Sequence, residues 1–210
     1  MHIIKRGAEA VLYLERKEGR EIVVKDRIKK GYRIPELDDK IRSSRTKRED
    51  KMMIRAQRSG VNTPRVFSVE KTRLVMEYLK GVTVKDCLNT LPQDKRMNVY
   101  NLIGISLANM HRNGMVHGDL TTSNMILYRD KLYIIDFGLG KSSQRIEDQA
   151  VDIYLLKEAL MSTHFKFFEE SWKNIIKIYK QKYSNSTSVM KRLEKIESRR
   201  RYKHTNKKEN

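Results

Sequence analysis

Asp119, Asn124 and Asp136 are two acids and an amide with the types and spacing to hold Mg·ATP beside a hydroxyl nucleophile. The first two lie in Val116-His117-Gly118-Asp119-Leu120-Thr121-Thr122-Ser123-Asn124, the third in Ile135-Asp136-Phe137-Gly138. Phosphoryl transfer asks mainly for positioning and charge neutralisation, with little covalent chemistry left to the protein. Asp119 would face the attacking hydroxyl, and Asn124 would turn back toward a magnesium ion. Asp136 would take a second metal contact that bridges the β- and γ-phosphates. Turn-forming Asp and Asn residues in two surface loops would explain either string alone. Their order, with a hairpin-like stretch over residues 125–135 between them, favours phosphoryl transfer.

Such a site also needs a lysine and a carboxylate to hold it, and the first third of the chain offers both. Lys25 directly follows the β-rich run Ile22-Val23-Val24, so strand alternation puts it on the face opposite Val24. An exposed strand lysine is the plain alternative. Residues 3–4, 11–14 and 22–24 suggest an opening antiparallel meander punctuated by Gly7 and Gly19. Gly7-Ala8-Glu9-Ala10 falls where a turn could cover phosphates, although an ordinary hairpin turn reads the same. Residues 26–40, with Gly31 and Pro35, read as an irregular connection. Helical spacing runs over 43–59, with Met52, Met53 and Ala56 as the apolar stripe and Gly60 as the stop. Glu49 lies four residues before Met53, on the inner side of that helix. Lys25 is a candidate partner for it; a local pair with Arg45 or Lys51 is the other possibility.

Two further strands are expected over 65–69 and 73–78, then a hinge-like break at Leu79-Lys80-Gly81. Thr83 and Asp86 have the spacing of a capping pair for the next helix. Residues 93–113 place Met97, Tyr100, Ile103, Leu107 and Met110 on one helical face, ended by Gly114. After the acidic loops, 148–161 carries Val151, Leu155 and Ala159, and 165–183 carries Trp172, Ile175, Ile176 and Tyr179. Val189, Leu193 and Ile196 give a last amphipathic set. Strands first and helices afterwards indicate an α+β chain in two lobes, residues 1–78 and 79–198, followed by a basic tail over 199–210.

Apolar residues make up 39% of the chain and charged residues 34%, a surface-rich composition with no run of about 20 apolar residues that could span a bilayer. The N-terminal residues lack the apolar stretch of a secretory signal, and Cys87 is the single cysteine, so an internal disulfide framework is excluded. A cytoplasmic setting without membrane attachment is the expectation. The net charge of +19 far exceeds the magnitude of roughly 2–8 suited to a small soluble domain, and it points toward a polyanion. Basic residues concentrate over 25–58 and 191–208, where Arg199, Arg200, Arg201 and Lys203 form the densest cluster and a candidate RNA- or partner-binding segment. Little apolar content follows Arg201, so this end is expected to be disordered when alone. A lysine-rich composition without a dedicated partner is the alternative.

Taken together, these strings resemble the protein-kinase-like superfamily over nearly the whole chain. More narrowly, the chain is similar to the small atypical serine/threonine kinase of the KEOPS complex, the p53-related protein kinase family. That resemblance is carried by Lys5-Arg6-Gly7-Ala8-Glu9-Ala10, Lys30-Gly31-Tyr32-Arg33, residues 45–49, 117–124 and 147–154, Asp136-Phe137-Gly138-Leu139-Gly140 and Ser162-Thr163-His164. RIO-type kinases share the His-Gly-Asp loop but usually lack the Asp-Phe-Gly-Leu form. The resemblance implies a minimal two-lobed kinase-like fold that uses ATP and Mg2+. In it Asp119 is the catalytic acid/base residue and Asn124 and Asp136 bind magnesium. Lys25 contacts the α- and β-phosphates and is held by Glu49. Gly7 belongs to the phosphate-covering turn, and Met76-Glu77-Tyr78 is the linker whose backbone receives adenine. Asp152 supports the catalytic loop from below.

The family's complex makes threonylcarbamoyladenosine at position 37 of transfer RNAs reading codons that begin with A. The resemblance therefore implies a kinase/ATPase subunit, with the threonylcarbamoyl-transferase subunit, the small helical subunit and tRNA as partners. Three departures from ordinary protein kinases bear on this. Gly118 stands where an arginine would grip a phosphorylated loop, and the glycine loop is reduced. Only thirteen residues separate Gly138 from Asp152, too few for a peptide-docking platform. All three point toward slow transfer or partner-dependent ATP hydrolysis. The competing readings are a free-standing serine/threonine protein kinase with a dedicated protein substrate, and a non-catalytic scaffold for RNA and proteins.

Overall fold

The computed structural model describes residues 2–205, with side chains described for residues 2–199. The chain opens with an antiparallel meander of β1 (His2–Arg6), β2 (Ala10–Lys17) and β3 (Arg20–Arg27). Helix α1 (Pro35–Arg58) follows, and then β4 (Val66–Glu70) and β5 (Arg73–Glu77) complete a sheet of order β1-β2-β3-β5-β4. Strand β3 is therefore interior, paired with β2 on one side and β5 on the other. Its residues Ile22 to Lys25 are all buried, so this strand does not show the alternation of a one-sided sheet. Lys25 is buried with its apolar neighbours instead of standing in solvent.

Past the break at residues 79–81, β6 (Val82–Thr83) leads into α2 (Val84–Cys87), α3 (Gln93–Arg112) and β7 (Met115–Val116). The hairpin of β8 (Met125–Tyr128) and β9 (Lys131–Ile134) comes next, with β6 beside β8 in a three-stranded sheet. A short strand β10 (Lys141–Ser142) pairs with β7, and α4 (Ile146–Thr163), α5 (Phe168–Lys182) and α6 (Ser186–Thr205) finish the fold. This is the expected α+β arrangement of an antiparallel sheet with one long helix above a helical lobe. One apolar cluster joins Met53 and Ala56 of α1 and Leu74 of β5 to Ile103, Leu107, Ile153, Ile175 and Tyr179 of the helices. Full burial of each large apolar side chain among them contributes about 1.5–3 kcal/mol, so the lobes share the core that fixes their relative position.

Four local expectations need correction. Helix α1 begins at Pro35, well before residue 43. Proline at the first helical position loses nothing, because that N–H has no intrahelical acceptor, and Glu36 and Asp38 suit the positive helix end. Met97 is exposed, and α3 buries Val99, Tyr100, Ile103, Leu107 and Met110 instead. On α4, Val151 is exposed and Leu155 and Ala159 are half-buried, whereas Ala150, Ile153, Tyr154, Leu156 and Leu160 face the core. The chain remains helical through Thr205, since α6 runs on into the basic segment. The spacing of Thr83 and Asp86 does produce a cap: Thr83 Oγ1 accepts the Asp86 N–H at 3.2 Å.

Candidate active site

Two-residue spacing on β3 puts Lys25 and Arg27 on one face, under α1, and both are buried. Lys25 Nζ donates to Glu49 Oε1 at 2.7 Å and to Asp136 Oδ1 at 2.7 Å. Glu49, itself 1% exposed, also accepts from Arg27 at 2.5 Å through its other oxygen. One carboxylate thus answers two buried cations, and the local alternative of Arg45 or Lys51 as its partner is not what forms. Arg45 pairs with Glu9 of the turn after β1. Arg48 donates to Gly138 O at 3.0 Å, which fastens α1 directly to the Asp136-Phe137-Gly138 segment.

Asp136 adopts a left-handed backbone conformation (φ 62°) and accepts the Gly138 N–H through its side chain at 3.3 Å. Partial burial works to raise its pKa. The Lys25 charge and hydrogen bond and the Gly138 N–H outweigh that and hold the carboxyl below its ordinary value. Even so, its side chain is 48% exposed, so an oxygen remains open to the cleft.

The loop bearing Asp119 is held by its backbone. Asp152 on α4 accepts the His117 N–H at 2.5 Å and the Gly118 N–H at 2.7 Å. His117 sits against Phe137, with its Nε2 at 3.0 Å from Ile135 O and its Nδ1 at 3.3 Å from the Asp119 N–H. The Asp119 amide as donor assigns the ring proton to Nε2. Gly118 has φ +79°, and an added Cβ would lie 2.6 Å from Leu139 O. The absence of an arginine before Asp119 therefore has a steric cause, since only glycine fits that close approach. Asn124 Nδ2 donates to Asp119 O at 2.8 Å and to Asp119 Oδ2 at 3.0 Å, which turns its amide oxygen away from Asp119.

These groups line one cleft of about 620 Å3. Gly7, Ala8 and Glu9 close it from the sheet side, and Lys25, Arg27, Glu49, Asp119, Asn124 and Asp136 face it from within. Met76, Glu77, Tyr78 and Leu79 form its back edge. The Glu77 N–H is already given to Arg65 O at 2.8 Å, whereas Leu79 has no protein acceptor for its own N–H among the described residues. The sequence reading missed Arg27 and Leu79. Arg27 was recoverable from its two-residue spacing after Lys25; Leu79 carries no side-chain signal. Arg199 lies exposed on α6, far along the chain from these elements, and the side chains of Arg200, Arg201 and Lys203 lie outside the described residues.

The donor set fits a magnesium ion. A hard cation of this kind takes oxygen ligands, usually one or two from protein, with the rest from phosphates and water. An ionised Asp136 with an open oxygen and the outward amide oxygen of Asn124 supply that number. No cluster of three or more His, Cys, Asp or Glu suited to an all-protein metal cage exists among the described residues.

Comparison with known proteins places this geometry in a class. A RIO domain is matched over residues 20–154. A Rio2 kinase from Chaetomium thermophilum, solved as an ADP/Mg2+-phosphoaspartate complex, superposes with a TM-score of 0.66 over 97% of this chain and 72% of that one. At 13% identity that likeness speaks for the fold alone. Fold and site thus define a RIO-type, protein-kinase-like domain, and the Asp-Phe-Gly-Leu form does not separate the chain from that group.

The nearer similarities are in sequence. The KEOPS complex subunit Bud32 of Pyrococcus abyssi is 43% identical over 213 residues, covering 97% of each chain. A probable bifunctional tRNA threonylcarbamoyladenosine biosynthesis protein of Methanocaldococcus jannaschii is 37% identical over 203 residues, and the chain spans 37% of that longer protein. The chain belongs to the RIO-domain family of the KEOPS subunit Bud32. No helix among the described residues is long and apolar enough to cross a membrane.

Proposed function

We propose that this chain is the ATP-dependent kinase/ATPase subunit of a KEOPS assembly, acting in the threonylcarbamoyladenosine modification of tRNAs that read codons beginning with A. The reading rests on one observation: Lys25, Glu49, Asp136, Asp119 and Asn124 converge on a single cleft in a chain similar to Bud32 over 97% of its length. Lys25, released from Asp136, meets the α- and β-phosphates while Glu49 and Arg27 keep its base fixed. Glu77 O and Leu79 N–H face adenine, and the turn at Gly7 covers the phosphates. Asp119 orients the attacking hydroxyl or water and takes its proton. Asn124 and Asp136 hold Mg2+, which neutralises charge on the β- and γ-phosphates when bound. Partners are the threonylcarbamoyl-transferase subunit, the small helical subunit and tRNA. Residues 1–78 and 79–198 serve as the lobes, and residues 199–210, including Arg199, Arg200, Arg201 and Lys203, as the RNA- or partner-facing segment.

ATP turnover of the purified chain, alone and with the transferase subunit and tRNA, tests this reading. Asp119→Ala should lower kcat by about 10²–10⁴-fold, the worth of a positioned acid–base group. Asp136→Ala should instead weaken Mg2+-dependent nucleotide binding, measured by titration with and without the metal. Turnover indifferent to the transferase subunit and tRNA, together with efficient phosphorylation of a purified protein in trans, would transfer the assignment to a free-standing serine/threonine kinase. Intact tRNA modification by Asp119→Ala would leave only a scaffold.

A further inference from the structure

The Ser162-Thr163-His164 string has no part in the nucleotide site, yet its histidine is wholly buried at the C-terminal end of α4. His164 Nε2 lies 3.0 Å from Thr122 Oγ1, and Nδ1 lies 2.8 Å from Asn89 Oδ1. Asn89 commits its amide nitrogen to Thr163 O at 3.1 Å, so its oxygen faces the ring. That fixes the tautomer: Nδ1–H donates to Asn89, and Nε2 accepts from the Thr122 hydroxyl. Burial lowers the imidazole pKa, in keeping with a neutral acceptor.

Thr122 is 1% exposed and opens the short 3-10 turn Thr122–Asn124, between Asp119 and Asn124. The ends of this loop have supports already, namely Asp152 beneath Gly118 and the Asn124–Asp119 hydrogen bonds. Its middle has the Thr122 hydroxyl and the burial of Leu120. Because only thirteen residues join Gly138 to Asp152, no long segment packs over the loop from that side. A single helix, α4, instead grips it twice, through Asp152 in its first half and through His164 at its end.

We propose that His164 is a positioning residue for the reaction, acting through the Thr122 hydroxyl to set the separation and orientation of Asp119 and Asn124. This rests on the phosphoryl-transfer reading above. The test compares Thr122→Val, Thr122→Ser and His164→Phe in the full chain, measuring kcat and KM for ATP hydrolysis and the affinity for Mg·ADP. Thr122→Val should lower kcat about tenfold. That falls between the about threefold of one weak hydrogen bond and the about hundredfold of a 1 Å displacement. KM and Mg·ADP affinity should hold, and Thr122→Ser should recover the parent rate. His164→Phe should match Thr122→Val, and combining them should add nothing further. Parent-like kcat in Thr122→Val overturns the proposal, as does Thr122→Ser being equally impaired, a raised KM alongside the lower kcat, or independent effects in the double variant. If His164→Phe does not fold, the two Thr122 variants decide alone. Asp119→Ala run alongside separates the two ideas. Full turnover in that variant removes the catalytic role of Asp119 and the reading on which this proposal rests, whereas a dead Asp119→Ala beside a normal Thr122→Val removes only the role of His164.

Discussion

Glu49 is the residue on which the charge balance of the cleft turns, because its two oxygens serve Lys25 and Arg27 and all three side chains are buried. Removing one partner of a buried pair leaves an uncompensated charge, a destabilisation of about 3–5 kcal/mol. Glu49→Ala should therefore destabilise the chain by about that amount in urea unfolding, since it takes the carboxylate from buried Arg27 and leaves Lys25 with Asp136 alone. Arg27→Met keeps the Lys25–Glu49 pair and should cost distinctly less; equal destabilisation would show that Arg27 carries the pairing by itself. The buried His164 gives a pH signature of the opposite kind. Its folded pKa lies below the ordinary value of about 6.5, so the unfolded chain binds the extra proton. The stability it contributes is complete above that ordinary value and is lost as pH falls through the lowered folded one. Its hydrogen-bond partners, Asn89 and Thr122, are uncharged. Denaturant midpoints between about pH 7 and pH 5 should consequently fall further in the parent than in His164→Gln, and parallel curves would disprove the shift. Asp119, Asn124 and Asp136 were legible in the sequence because short strings of fixed spacing name them, whereas Lys25 and Glu49 each kept a plain alternative and took their roles from the resemblance. Arg27 was passed over because no motif string names it, although its two-residue spacing after Lys25 on β3 puts it on the same face.

Helix faces were harder to read than helix positions, and α4 shows why. It packs against α5, α6, β7 and the loop after Leu120, so apolar residues surround much of it and no single stripe stands out. Buried Gln149 and Asp152 interrupt the apolar pattern further, since their roles are hydrogen bonds: Gln149 to His111 O and Tyr183, Asp152 to the loop above. The start of α1 was obscured for another reason, because Pro35 signals both a break and a first helical turn. Where α3 crosses α5, the close approach depends on Gly104. A Cβ there would stand 2.8 Å from Ile178 Cβ and 2.9 Å from Ile175 O. Alanine in mid-helix gains roughly 1 kcal/mol in propensity, while overpacking costs about 1–3 kcal/mol. The steric effect should win because one of the two obstacles is backbone. Gly104→Ala is thus expected to lower the thermal midpoint with ATP-binding affinity retained; a raised midpoint would mean that the two helices separate freely.

For the molecule as a whole, the excess positive charge is the property that neither the cleft nor the core accounts for. Residues 199–210 hold six Lys or Arg and one Glu, yet most of the +19 lies elsewhere in the chain. Helicity through Thr205 makes the first half of this segment an extension of α6, which is tied to α4 by the Lys157–Glu197 and Arg192–Glu147 ion pairs. Truncation after Ser198 keeps both pairs, so the lobes should stay folded while the densest cationic cluster is removed. RNA affinity measured against salt then separates two kinds of charge. Every phosphate that the protein no longer neutralises makes the slope of log K on log salt shallower by about 0.7 for single strands and about 0.9 for duplex. If Arg199, Arg200, Arg201 and Lys203 meet phosphates, the truncated chain should show that shallower slope, with tRNA still bound at low salt through the remaining surface. A slope unchanged by truncation would assign RNA binding to the body of the protein and leave the segment to protein partners. Nucleotide hydrolysis without tRNA should be the same in both chains, since truncation keeps every cleft-lining residue found among the described residues.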